Sequence, residues 1–414
     1  MKISKKWLSQ YMDISDLSIE EIADKITSAG LEVEGIEKMS QGSNLVIGKV
    51  LTCEDHPDSD HLHVCQVDLG ERTEQIVCGA PNVAAGQKVI VARVGAKLPD
   101  GEIKAGVIRG QASNGMICSL LELGVDPHQL SEESKNGIEV LDEAAPVGNE
   151  NPLAYLGFDD EILDVGLTPN RNDCMAAWSM ALETGAILHK EVSLPYVEGS
   201  ANTGDKSRLI VQSETEKCPL FLGKVINSVT IKPSPKWMRE LLMAAGMKSI
   251  NNVVDISNIV MLETGQPLHF YDIDAIPAQE ITVKDQQHFD YTALDGETYH
   301  ILEDDIVITT EGKPIGIAGI MGGDDSKIEA TTKGIIIEAA IFNHVAIRNT
   351  SRRLNLGTDA SVRYQKGIEP MATYKAMDRA VQLLVEYADA NGLEETKQYG
   401  SNSYTPVEFD VNLE

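Results

Sequence analysis

Two parts of the chain hold residues whose types and spacing could do chemistry. The first, EDHPDSDHLHVC at 54 to 65, crowds His56, Asp60, His61, His63 and Cys65 into twelve positions. Nitrogen, oxygen and sulfur donors at that density are the raw material of a metal site. His61, His63 and Cys65 fall at period two and would share one face of a strand, with His56 beyond a turn at Pro57 to Asp60. A zinc centre needs a third and fourth ligand at fixed geometry, and no second cluster follows; the expectation is no metal. The second part lies in the last third of the chain. PIGIAGIMGG at 314 to 323 places Gly316, Gly319, Gly322 and Gly323 around Ala318, which lets backbone approach a ligand and offers bare amides as donors. Such a stretch alone is more often a tight structural turn, and it lacks the Lys-Ser/Thr ending of a phosphate loop. Glu338 interrupts the apolar run IIIEAAIF, where a carboxylate is expensive unless partnered. By pattern it is either a paired structural group or a group that reads a ligand. His269 follows a Gly-Gln-Pro turn, and a lone histidine is more often structural than catalytic. Ser257 sits in no nucleophile elbow, which argues against covalent catalysis by a Ser-His-Asp triad.

The elements that must position these residues belong to a multidomain chain. At 414 residues it exceeds one average core. No basic start leads into an apolar run and no window offers about 18 consecutive apolar residues, so neither an export signal nor a membrane span is expected and the cytoplasm is the default. Six cysteines without a CxxC pair read as reduced thiols. The formal charge of -29 argues against bulk attraction to nucleic acid. Residues 86 to 115 are a local exception, with Lys88, Arg93, Lys97, Lys104 and Arg109 against Asp100 and Glu102. SIEEIADKITSAG reads as a helix, with Ser18 and Glu21 in capping-box spacing and Gly30 as its stop. From Val46, five short apolar or alternating runs separated by turn residues fit a small closed barrel of the OB kind.

HPDSDHLHVCQVDLG, IVCGAPNVAAGQKVIVARVGAKLP and IRGQASNGMICSLLELG together resemble the tRNA-binding OB domain that recurs in aminoacyl-tRNA synthetases. In that family the His-Pro turn shapes the start of the barrel, which makes His56 a turn residue. Adding the opening segment, the TPNRND turn at 168 to 173 and the landmarks of the last third, the whole chain resembles the bacterial phenylalanyl-tRNA synthetase beta subunit family. The fold implied is α+β and multidomain: a small discontinuous α/β N-terminal domain of residues 1–40 and 151–195, an inserted five-stranded OB barrel at 41–150, and a larger mixed α+β editing module at 208–398. Residues 399–414 would begin a following domain. The activity implied is hydrolysis of tyrosine wrongly attached to phenylalanine tRNA. The resemblance puts Ser257, Asn258, His269 and Thr358 near the ester, and Glu338, Gly319, Ala318 and Ala360 around the amino acid. Modest, salt-sensitive tRNA binding is expected through Lys88, Arg93, Lys97 and Arg109. Implied partners are tRNA(Phe) and an alpha subunit joined through further domains, in a heterotetramer. ATP and Mg2+ would serve only the complete heteromer, and no cofactor is expected for this stretch. The reading from another class is a non-catalytic tRNA-binding or assembly module with a vestigial pocket.

Overall fold

The computed structural model describes residues 1–401 and 407–412, so the expected following segment at 399–414 lies partly outside the described residues. Near the N-terminus, Lys2–Ser4 and Glu32–Lys38 flank Glu161–Gly166 in one antiparallel sheet, which brings the first residues beside a segment far along the chain. Helix Ile19–Ser28 starts as its sequence dictates: the amide of Glu21 donates to Ser18 Oγ at 3.2 Å and the amide of Ser18 to Glu21 Oε2 at 2.8 Å. Ile19, Ile22 and Ile26 form its buried stripe.

Between the two halves of that sheet lies a nearly closed barrel. Its path runs Met116–Ile117, Lys88–Ala92, Leu45–Asp55, His63–Asp68, Thr73–Cys78, and a sixth strand, Val140–Leu141, also pairs with Lys88–Ala92. The five expected strands are present. The sixth has two residues, too short to carry a periodic signal.

The last third is built on the strand Ile335–Ile341, which pairs with Leu220–Ser228 on one side and Leu268–Asp272 on the other. Both of its faces are buried. Ile335, Ile337 and Ala339 pack toward helices Asn252–Thr264 and Ala372–Tyr387, whereas Ile336 and Ala340 pack toward a second sheet containing Val307–Thr310 and Lys313–Ile317. Side chains alternate along a strand, so Glu338 shares the face of Ile336 and Ala340, between the two sheets. The apolar side of the helices is continuous with the core of the N-terminal sheet, where Trp7, Ile22 and Leu163 sit in one cluster with Leu222, Val260 and Leu384. Among the described residues no helix is long and apolar enough to cross a membrane.

Candidate active site

Register assembles the site. His269 lies directly opposite Glu338 across the antiparallel pair, and Gly223 lies opposite Glu338 on the other side. Tyr271 follows His269 by two residues and points to the same face, its ring 4.4 Å from the imidazole centroid. Glu338 is 6% exposed and Tyr271 1%. The phenol of Tyr271 donates to Glu338 Oε2. Burial pushes the Glu338 carboxyl up to about 7, with the Tyr271 hydrogen bond pulling the other way. Burial pushes His269 down to about 4, so its imidazole is neutral at physiological pH. His269 keeps part of its surface open while its Nε2 is sealed and without a partner among the described residues.

The glycine-rich stretch closes over this face. Gly316 pairs with Gly322 and Ile317 with Met321, leaving Ala318, Gly319 and Ile320 as the connection. Gly319 has φ +65, a left-handed conformation that favours glycine, and an added Cβ would lie 2.8 Å from the Tyr364 ring. Its amide makes no hydrogen bond among the described residues. Thr358 ties the connection down: its hydroxyl donates to the Ile320 carbonyl at 2.9 Å and accepts from the Ser361 amide at 3.1 Å, capping helix Asp359–Lys366. Ala360 in the first turn of that helix joins His269, Glu338, Ala318 and Gly319 around a cavity of about 80 Å3.

Five of the residues read from the sequence therefore meet at one cavity, and three do not line it. Thr358 acts one step back, through Ile320. Ser257 and Asn258 lie on the helix that precedes the His269 strand, and the Ser257 hydroxyl donates to its own helix at the Val254 carbonyl, 2.7 Å away. Tyr271 was missed, although its spacing of two from His269 in an apolar strand is the signal that would have found it.

The basic set divides as well. Lys88 Nζ donates to the carbonyls of Glu143 and Ala145, and Arg93 pairs with Glu150 at 2.6 Å. Arg109 reaches the Asp58 carbonyl, and the exposed Lys97 ammonium has no acidic partner among the described residues. A hollow of about 680 Å3 on the barrel is lined instead by Lys104 and Lys135 with Glu102 and Glu122.

At the first cluster, His56 is buried in its turn, Nδ1 accepting from the Asp58 amide at 3.1 Å and Nε2 facing the Ile108 carbonyl at 3.1 Å. The strand begins at His63, which leaves His61 in the preceding loop beside Asp60, and Cys65 points into the barrel core. The expected shared face of three donors is not formed. Among the described residues no group of three His, Cys, Asp or Glu is disposed to hold a metal ion.

Gly322 sets the place of the imidazole. A Cβ there would stand 2.3 Å from His269 Cε1. Gly322→Ala is expected to cost about 1–3 kcal/mol by overpacking and to drive the ring toward water, raising the His269 midpoint from about 4. Titration of the His269 Cε1 proton by NMR checks this; an unmoved midpoint would show that the ring does not depend on Gly322.

The sequence matches a putative tRNA binding domain over residues 45–150 and a B3/4 domain over residues 217–389. The phenylalanine–tRNA ligase beta subunit of Bacillus cereus is 42% identical over 408 residues, covering 95% of this chain and 50% of the relative. That of Streptococcus thermophilus is 42% identical over 422 residues, covering 100% of this chain and 52% of the relative. That of Streptococcus pneumoniae serotype 4 is 43% identical over 418 residues with the same coverages, 100% and 52%. The chain thus spans about half the length of these relatives. With both domains in place and this identity along almost all of its residues, the chain belongs to the phenylalanine–tRNA ligase beta subunit family.

Proposed function

We propose that the cavity beside His269 and Glu338 hydrolyses tyrosine from mischarged tRNA(Phe), and that the barrel helps hold the tRNA. The observation that carries this reading is the buried Glu338 carboxylate facing a small cavity between Gly319, Ala360 and His269. An apolar site cannot strongly reject an analogue with one extra hydroxyl, so a ligase for phenylalanine gains from a second check. The second site reverses the preference. A tyrosine phenol hydrogen-bonds Glu338, whereas a phenylalanine ring leaves the carboxylate unpaired, at a cost of about 1–3 kcal/mol or more.

Attack on the ester is by water, oriented by a neutral His269, while the Gly319 amide stands with Glu338 at the amino-acid side chain. With its pKa near 4 the imidazole is a weak base, which makes positioning its main task. The 2′ or 3′ hydroxyl of the terminal ribose can assist. Activation of phenylalanine with ATP and Mg2+ belongs to the complete heteromer with an alpha subunit, and the tRNA backbone meets the barrel through Lys97, Lys104 and Arg109 rather than Lys88 and Arg93.

Glu338→Ala is expected to slow deacylation of tyrosyl-tRNA(Phe) roughly tenfold to a hundredfold and to collapse the tyrosine-over-phenylalanine ratio. Timed deacylation of both aminoacyl-tRNAs, with the whole heteromer if this chain binds weakly, is the test. A full ratio in the variant would make Glu338 a structural carboxylate. One observation favours the binding-module reading: a cavity of about 80 Å3 is small for an aromatic side chain, so the glycine connection and Met321 must yield on binding. Protection of tyrosyl-tRNA without turnover would establish that reading.

A further inference from the structure

Glu338 meets the cavity with one oxygen already in use. Oε2 accepts from the Tyr271 phenol, while Oε1 has no donor among the described residues and keeps access to the cavity. We infer that Tyr271 is a positioning residue that sets specificity: its fixed phenol occupies one carboxylate oxygen and presents the other, so the site admits a single phenolic hydroxyl. This rests on reading the cavity as a tyrosyl-ester site.

The geometry leaves Tyr271 little freedom. It sits opposite Ile336 in the ladder, packs in the core between the two sheets with Phe221, Val225 and Ile336, and presses edge-on against His269. A carboxylate rotates about its last torsion unless something holds it. The phenol–carboxylate bond is of the strong, charge-assisted kind and fixes that torsion before a ligand arrives. A substrate phenol then adds to Oε1 without displacing Tyr271.

The same bond governs the proton. Groups facing Glu338 are His269 and Tyr271 from the neighbouring strand, Tyr364 from helix Asp359–Lys366, Cys218 ahead of strand Leu220–Ser228, and Tyr291 beyond Tyr271. None is a cation: burial keeps His269 neutral, and burial with the nearby carboxylate holds Tyr364 and Cys218 in their protonated forms. The Tyr271 phenol is thus the group that favours ionised Glu338. Without it the carboxyl keeps its proton to higher pH and ceases to be a pure acceptor.

Tyr271→Phe keeps the ring and removes the donor. Two readouts are taken on this chain, with 13C-labelled glutamate for the carboxyl titration and tyrosyl- and phenylalanyl-tRNA for deacylation. The expected results are a Glu338 midpoint moved upward from about 7, a matching upward move of the pH profile for tyrosyl-ester hydrolysis, and a roughly tenfold lower tyrosine-over-phenylalanine ratio. Fluorotyrosine at position 271, a stronger donor of nearly the same shape, should move the midpoint down and guards against a misfolded Phe variant. An unmoved midpoint and ratio in both variants would overturn the inference. If the midpoints move but wild-type chain never deacylates tyrosyl-tRNA, the proposed function fails while the hold of Tyr271 on Glu338 stands.

Discussion

Arg379→Met is expected to lower stability by about 3–5 kcal/mol, the cost of stranding a buried carboxylate. Arg379 Nε donates to Glu263 Oε2 at 2.7 Å and Nη2 to Oε1 at 3.1 Å, a two-pronged pair whose members are 6% and 1% exposed. The third nitrogen reaches the Pro195 carbonyl at 3.0 Å. Tyr11 adds its hydroxyl to Glu263 Oε1 at 3.0 Å, and Trp7 Nε1 donates to Tyr11 at 2.7 Å. Trp7 with Tyr11, Glu263 and Arg379 come from three separate parts of the chain, so the network joins the N-terminal segment to helices Asn252–Thr264 and Ala372–Tyr387. Removing the guanidinium leaves Glu263 with one phenol in an apolar setting. Adding Glu263→Gln to the variant should recover much of the loss, because an amide costs less to bury than a charge, and the two substitutions should fall well short of additive. Helix Asn252–Thr264 runs through Gly265 and Pro267 into the His269 strand, so the damage should reach the cavity. Denaturant melts of the two single variants and the double would measure this. A loss under about 1 kcal/mol for Arg379→Met would put the pair in the class of surface ion pairs.

What could be read from the sequence divides by range. Glu338 stood out because it breaks a local apolar run, His269 through the family resemblance, and the barrel strands because their apolar or alternating runs are local. The Tyr271–Glu338 bond was invisible, since it depends on the register between Leu268–Asp272 and Ile335–Ile341, set by a ladder far apart in the chain. Lys88 and Arg93 looked free for the same reason: their acceptors, at Glu143, Ala145 and Glu150, lie more than fifty residues on. Composition counts charges and cannot see which are already answered. His61 fell outside its strand because periodicity places residues on faces but does not say where a strand starts. Ser257 and Asn258 came from resemblance alone, and their helix carries no local feature that aims them at the cavity.

Glu338→Gln is expected to make the protein more stable in alkaline solution while weakening the proposed preference for tyrosine. The folded-state pKa is raised from 4.5 to about 7 by burial, so the folded protein holds this proton more tightly than the unfolded chain does. The sign follows. The contribution of Glu338 to stability is fully present below pH 4.5 and is lost as pH rises through about 7, for a total near 3 kcal/mol. His269 runs the opposite way: its pKa is depressed from 6.5 to about 4, so its contribution is present above pH 6.5 and is lost as pH falls through about 4. The two slopes oppose each other in the acid range, which hides both in the wild type. Glutamine deletes one of them. Its carbonyl still accepts from Tyr271, and its amide N–H groups bring a burial cost that does not depend on pH. The prediction is therefore a slope. The stability of Glu338→Gln relative to wild type should climb between pH 5 and pH 8.5 by about 2–3 kcal/mol, measured by denaturant melts at fixed ionic strength. A flat difference across that range would mean that Glu338 ionises as readily in the folded protein as in the unfolded chain. A carboxylate kept at this cost, inside an otherwise apolar strand, is what the proposed discrimination of a phenol from a bare ring requires, and the variant should gain stability and lose that discrimination together.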